Sequence, residues 1–205
     1  MNVESYTVGS LFTNTYIISN DNNECILIDP GLGYKKVVDH VKSKYDVKAI
    51  LLTHAHIDHM DGIQYFLDVP VYMHTKEYDN FFDSEASLYN MFGRVCPYNE
   101  GMLDIRKVNH GDEFNLIGLK IKVLYTPGHT NGSVCFLIEN KLFSGDTLFR
   151  GTCGRCDFPN GSVSDMQKSL NYLVNNLPLE TVVYPGHDAY TTILDEKENN
   201  PYIMR

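Results

Sequence analysis

The chain has 205 residues, with 17 basic and 26 acidic side chains, for a formal net charge of −9. Its 43% apolar and 21% charged content is that of an ordinary globule, large enough to bury roughly 70% of the surface its unfolded form exposes. No tract of five or more Lys and Arg occurs, and the longest uninterrupted apolar stretch, Val134 to Ile138, falls far short of the about 20 residues a membrane span needs, so neither a nucleic acid nor a membrane is expected as a partner.

The N-terminus has no basic segment followed by an apolar one, and five cysteines are an odd number in a chain too large to need stapling. A reducing, cytoplasmic setting is the expectation. In chain order, short strands are predicted at Ser5 to Val8, Thr15 to Ser19 and Glu24 to Ile28, the last running into the turn Asp29-Pro30-Gly31. Val37, Val38, Val41 and Tyr45 recur at helical spacing and predict a helix from Tyr34 to Tyr45; Ala49 to Leu52 reads as a buried strand. A helix from about Asp61 to Leu67, a strand at Val71 to Met73 and a helical or mobile stretch from Lys76 to Met91 follow. Further strands are predicted at Leu119 to Tyr125, Ser133 to Ile138, Lys141 to Ser144 and Thr181 to Tyr184, with helices from about Ser164 to Asn176 and from near Thr191. No linker, repeat or low-complexity tract interrupts the chain, which reads as one α/β or α+β domain over residues 1–205 with layered packing.

The chemistry concentrates just past the Ala49 to Leu52 strand, in His54-Ala55-His56-Ile57-Asp58-His59. The chance of H-x-H-x-D-H arising anywhere in a chain of this composition is roughly one in a thousand. Alternate residues of an extended segment point the same way, so His54 and His56 can grip one cation while Asp58 and His59 turn towards another. Three glycine-rich turns at strand ends carry further candidates: Thr126-Pro127-Gly128-His129-Thr130, Ser144-Gly145-Asp146-Thr147 and Tyr184-Pro185-Gly186-His187-Asp188. A glycine beside a ligand lets the backbone approach a crowded centre without a Cβ clash. His40, His74 and His110 lack such a context and are read as surface residues or as supports behind the ligands. Cys25 and Cys135 lie in predicted strands and are expected in the core.

H-x-H-x-D-H, G-H-T, S-G-D-T and P-G-H, in this order, resemble the motifs of the metallo-β-lactamase superfamily, and of its glyoxalase II-like branch in particular. Asn14 to Ile18, Ile26 to Gly31, Leu148 to Ser162 and Asn200-Pro201-Tyr202 extend the resemblance over nearly the whole chain. It implies a four-layer αββα sandwich and two divalent metal ions, zinc first, with iron or manganese as alternatives. By matching position, His54, His56 and His129 would hold the first ion, Asp58, His59 and His187 the second, and Asp146 would bridge them. The bridging aspartate speaks against the β-lactamase branch proper. The implied reaction is hydrolysis of a small-molecule thioester such as S-lactoylglutathione by a metal-bound hydroxide that Asp58 helps to orient. Arg155 matches a basic residue that contacts the thiol carrier's carboxylate. Only 18 residues follow His187, so the C-terminal helical domain of full-length glyoxalase II is expected to be absent.

Cys153-Gly154-Arg155-Cys156 is a C-x-x-C pair, but a structural zinc would need two more ligands at comparable spacing, so it is read as part of the family's loop. Competing readings are a persulfide dioxygenase with one iron, held by residues matching His54, His56 or His129 and Asp146, and a lactonase. A nuclease is disfavoured by the short, acidic chain, and a non-catalytic module by the complete ligand set.

Overall fold

Six strands lie side by side in the order of the chain: β1 (Asn2–Val8), β2 (Thr13–Ser19), β3 (Glu24–Ile28), β4 (Asp46–Leu51), β5 (Val71–His74) and β6 (Ile105–Val108). The first three form an antiparallel meander and the last four run parallel. The computed structural model describes residues 1–31, 33 and 35–203. Next come β7 (Glu113–Leu116), β8 (Leu119–Tyr125), β9 (Val134–Ile138) and β10 (Lys141–Gly145), a ribbon of β11 (Leu148–Phe149) and β12 (Thr152–Cys153), then β13 (Val182–Pro185) and β14 (Thr191–Thr192). These build a second six-stranded sheet in the order β14-β13-β10-β9-β8-β7.

The sequence dictates how the sheets stack, because successive residues of a strand face opposite ways. In β2 and β3, Ile17, Cys25 and Leu27 enter one apolar cluster, while Tyr16, Ile18, Ile26 and Ile28 enter another. The second cluster also takes Val123, Val134, Phe136 and Phe143 from the other sheet, so it is the filling between the two sheets. The outer face of the first sheet is covered by α1 (Lys35–Lys44) through Val37, Val38 and Val41. The outer face of the second is covered by α4 (Val163–Asn176) and α5 (Ile193–Asn199), through Met166, Leu170, Leu173 and Ile193. The result is the expected four-layer αββα arrangement. Both outer helices on the second sheet start on side-chain caps, the Ser162 hydroxyl accepting from the Asp165 amide and that of Thr192 from the Asp195 amide.

Two short helices, α2 (Ile57–Met60) and α3 (Tyr78–Phe82), lie in the connections of the first sheet. The helix expected from Asp61 to Leu67 is displaced: α2 begins at Ile57, and Asp61–Tyr65 is a 3-10 turn. The predicted start of the first helix, Tyr34, lies outside the described residues. Lys76 to Met91 is built from α3 flanked by the 3-10 turns Thr75–Glu77 and Tyr89–Phe92. Strands β6, β7, β11, β12 and β14, all of two to four residues, escaped the sequence pattern. Among the described residues no helix is long and apolar enough to cross a membrane.

Phe136 is fully buried between the sheets. Phe136→Ala should cost about 3–5 kcal/mol of unfolding free energy. Chemical denaturation checks this, and a loss below about 1 kcal/mol would show that the space between the sheets can collapse around the deletion.

Candidate metal centre

Beyond β4 the chain stays extended through His54 and His56, and then turns into α2, which places Asp58 and His59 in that helix's first turn. This split conformation separates the four side chains of the hexapeptide into two pairs. His129 follows β8, Asp146 follows β10 and His187 follows β13, so the second sheet brings its contributions to the same end of the sandwich. Backbone bonds clamp the two sheets there: the Val134 amide donates to the Thr53 carbonyl at 3.0 Å and the Asn14 amide to the Gly186 carbonyl at 2.7 Å. The closeness explains the glycines of the motifs. A Cβ on Gly186 would run into Asp146 Oδ1 and His59 Cε1, and one on Gly145, whose φ is +49°, into the Thr53 side chain.

Seven residues meet at this point as overlapping groups: His54, His56 and His129; Asp58, His59 and His187; and His54, His59 and Asp146. His56 Nδ1 lies 3.1 Å from His54 Nε2 and 2.9 Å from His129 Nε2. In the second group, Asp58 Oδ2 lies 3.4 Å from the Nε2 atoms of both His59 and His187. Asp146 touches both groups, at 3.4 Å from His129 Nε2, 3.3 Å from His59 Nε2 and 3.5 Å from His187 Nε2.

The outer ring nitrogens show which atoms are left for a ligand. His129 Nδ1–H donates to the Arg155 carbonyl at 2.7 Å, and His59 Nδ1–H to Asp29 Oδ2 at 2.9 Å. His54 Nδ1–H donates to the Thr53 hydroxyl at 3.2 Å, which in turn donates to Asp29 Oδ2 at 2.6 Å. These bonds assign each tautomer and turn the Nε2 lone pairs of His54, His59 and His129 inward. Inside the cluster His59 Nε2 and Asp146 Oδ1 are buried without a hydrogen-bond partner. Converging acceptors and orphaned buried polar atoms are unfavourable unless a cation lies between them, and a donor set of five imidazoles and two carboxylates suits divalent zinc, iron or manganese. The residues therefore fit the metal ions that the sequence motifs imply.

Electrostatics divides the groups the same way. Burial and the neighbouring imidazoles push His54 and His56 well below the usual histidine range, and burial lowers His129 despite Asp146. Burial would likewise lower His59 and His187, but the surrounding carboxylates override it; His59 is raised and His187 is pushed up to about 10. Burial would raise Asp58 and Asp146, but the facing imidazoles hold both below the usual carboxylate range.

Three supporting residues went unrecognised in the sequence. Asp29 looked like part of a turn; in fact its carboxylate accepts from the Thr53 amide, the Thr53 hydroxyl and His59, and it sits at a φ of +49°. Thr13 donates from its hydroxyl to Asp58 Oδ2 at 2.7 Å. Glu77, next to Lys76 in the chain, is fully buried and accepts from the Ala55 amide, the Thr130 hydroxyl and the Asn80 amide group. Burial pushes its carboxyl up to about 7 against the pull of those donors. Glu77 thereby joins the loop that carries His54 and His56 to the loop that carries His129.

Arg155 lines the same cavity as the cluster, but its guanidinium is exposed and forms a bidentate pair with Asp157, both bonds at 2.6 Å, while stacking over Phe158. His40 pairs with Glu4 at 3.0 Å and is half-buried. His74 corrects the surface reading: it is buried, because its ring stacks on Tyr125 and its Nδ1 accepts from the Lys76 amide to cap the Thr75–Glu77 turn. His110 accepts from the Tyr125 amide. Cys25 and Cys135 are buried core residues, as expected.

The chain belongs to the metallo-beta-lactamase superfamily, whose family model matches residues 8–187. It is 34% identical to a probable metallo-hydrolase, YqgX, of Bacillus subtilis, over 96% of this chain and 94% of that one. It is 30% identical to the hydroxyacylglutathione hydrolase GloC of Haemophilus influenzae, over 99% and 98%. Among solved structures, the BLEG-1 B3 metallo-beta-lactamase matches with a TM-score of 0.89 at 32% identity over the full length of both chains. TTHA1623, solved in a di-iron-bound form, matches with a TM-score of 0.82 at 34% identity over 98% of this chain and all of that one. The chain is thus a metallo-hydrolase of this superfamily with a His and Asp cluster suited to divalent metal ions.

Asp29→Ala removes the acceptor that orients His59 and should weaken metal binding about 10- to 100-fold. Asp146→Ala should lower the content of both ions, since its carboxylate faces both groups. Elemental analysis after equilibration with limiting zinc measures both; retention of one full equivalent in the Asp146 variant would show that the carboxylate serves one group alone.

Proposed function

We propose that this protein is a binuclear metal-dependent thioesterase. His54, His56 and His129 would hold one divalent cation, Asp58, His59 and His187 the other, with Asp146 between them and zinc as the expected metal. The observation that carries the reading is the position of Asp146, within 3.5 Å of an inward-facing nitrogen from each group. The relative named as a hydroxyacylglutathione hydrolase supports the substrate class.

When bound, such a pair of cations supplies Lewis acidity, lowering the pKa of a water molecule and polarising a carbonyl. The chain's own residues do the rest. Asp58 lines the cavity, its Oδ2 held by the Thr13 hydroxyl, and is the residue that would orient an attacking water. Asp29 and the Arg155 carbonyl keep His59 and His129 in the tautomers that turn their Nε2 atoms inward. Loss of activity on stripping the metals, and its return with two equivalents, would support this reading. Hydrolysis of β-lactams with no turnover of any thioester would overturn it, as would oxygen consumption on a persulfide by a protein holding one iron.

Arg155 is the anchor proposed for a carboxylate on the thiol carrier, and that carboxylate must displace Asp157 to reach the guanidinium. Asp157→Asn should accordingly lower KM for an anionic thioester, and Arg155→Ala should raise it by about three- to ten-fold at unchanged kcat, below the full worth of a free charge-assisted pair. Metal content should stay intact in both, because His129 is held by the Arg155 backbone. Steady-state kinetics on S-lactoylglutathione checks the pair; unchanged KM in both would place the carboxylate elsewhere.

A further inference from the structure

Above the cluster opens a cavity of about 520 Å3 whose wall is apolar: Leu11, Leu88, Met91, Phe92, Phe149 and Phe158. Its rim is conspicuous in an acidic surface, since Leu11 is 45% exposed, Met91 66% and Phe92 37%. Large apolar side chains gathered around a single opening mark a binding site rather than the scatter of a normal surface.

The rim is also built, not loose. Met91 and Phe92 belong to the 3-10 turn Tyr89–Phe92, bounded by Leu88 and Gly93, both in the left-handed region at φ +64° and +63°. A leucine rarely adopts that conformation, so the surroundings must impose it. They do so from beneath, where the buried Tyr89 hydroxyl and the Arg94 guanidinium both donate to Asp61 Oδ1, at 3.1 and 2.6 Å. Asp61 directly follows α2, the helix that carries Asp58 and His59. The apolar turn is therefore held in register with the cluster.

Charge points the same way. Among the described residues the cavity has one Lys or Arg, Arg155, whose fork is already taken by Asp157; of the three aspartates that line it, Asp58 and Asp146 belong to the cluster that would hold the cations, which leaves Asp188. A thiol carrier with two carboxylates finds one guanidinium here, already occupied, whereas an apolar chain finds six apolar side chains.

We infer that this site selects thioesters bearing an apolar chain next to the scissile bond, recognised by burial against the Leu11, Met91 and Phe92 rim and the Leu88 wall below it, alongside the contact proposed for Arg155. The inference rests on the thioesterase reading for its reaction, but not for its binding. The test uses the metal-loaded protein and S-acetyl, S-butanoyl and S-hexanoyl N-acetylcysteamine, whose thiol carrier is neutral; the acetyl thioester of hexanethiol puts the chain on the other side of the bond. The expected result is a rise in kcat/KM of about three-fold per added methylene, in the acyl or the thiol series, and values for the longer substrates above that for S-lactoylglutathione. Met91→Glu and Phe92→Ser should flatten the series, the hexanoyl-to-acetyl ratio falling at least ten-fold. Val95→Ser, exposed but outside the cavity wall, should leave that ratio unchanged.

A second readout does not need turnover. Calorimetric titration with the S-hexyl thioether of N-acetylcysteamine should show binding with a negative heat-capacity change, the mark of apolar burial, and weaker binding in Met91→Glu. Binding of this kind in a protein that hydrolyses no thioester would sink the proposed reaction and keep the inference. A flat series together with no heat-capacity change would overturn the inference while leaving a thioesterase in place.

Discussion

Three imidazole nitrogens held about 3 Å apart in a protein interior cannot all be protonated towards one another, and their lone pairs repel if none is. That constraint shapes the rest of the molecule. For His54, His59 and His129 a bond from behind fixes the ring and decides its tautomer, and the partner must itself be fixed. Asp29 does this for His59 and, through Thr53, for His54; its carboxylate takes three donors and its backbone sits in a left-handed conformation. The cluster is thus the inner face of a hydrogen-bonded shell, and a divalent cation is what makes its crowding favourable.

The layered fold supplies the rigidity that this shell requires. Because β2, β3 and β4 are buried on both faces, their ends have little freedom, and the loops leaving β4, β8, β10 and β13 start from fixed points. Two sheets clamped together by the bonds at Thr53 and Asn14 then behave as one platform. Glu77 extends the platform sideways, since one buried carboxylate draws the Ala55 backbone and the Thr130 hydroxyl to the same point.

The seven clustered His and Asp residues were legible in the sequence for a local reason: four of them lie within six residues, and the other three sit beside glycines whose smallness the structure requires. The long β-branched strands were legible because both of their faces are apolar. The short strands were not. β6 and β7 carry Arg106, Lys107, Glu113 and Asn115, and pair at sheet edges where solvent tolerates such residues. Residues 76–91 were obscure because 3-10 turns have no long apolar period. Asp29, Thr13 and Glu77 were invisible for a different reason: their partners are 24 to 53 residues away except for Glu77's nearer ones, and only chain closure brings them together. A sequence pattern reports neighbours in the chain; the shell behind a ligand is made of neighbours in space.

The bond from His129 to the Arg155 carbonyl joins a metal-ligand position to the backbone of the loop that borders the cavity. Binding at the two places is therefore thermodynamically linked. Whatever orders residues 152–158 also steadies His129, and a cation that steadies His129 orders that loop in return, by the same factor in each direction. A ligand bound against that loop and a cation held at His129 would in this sense be heterotropic effectors of one another, although they share a single site.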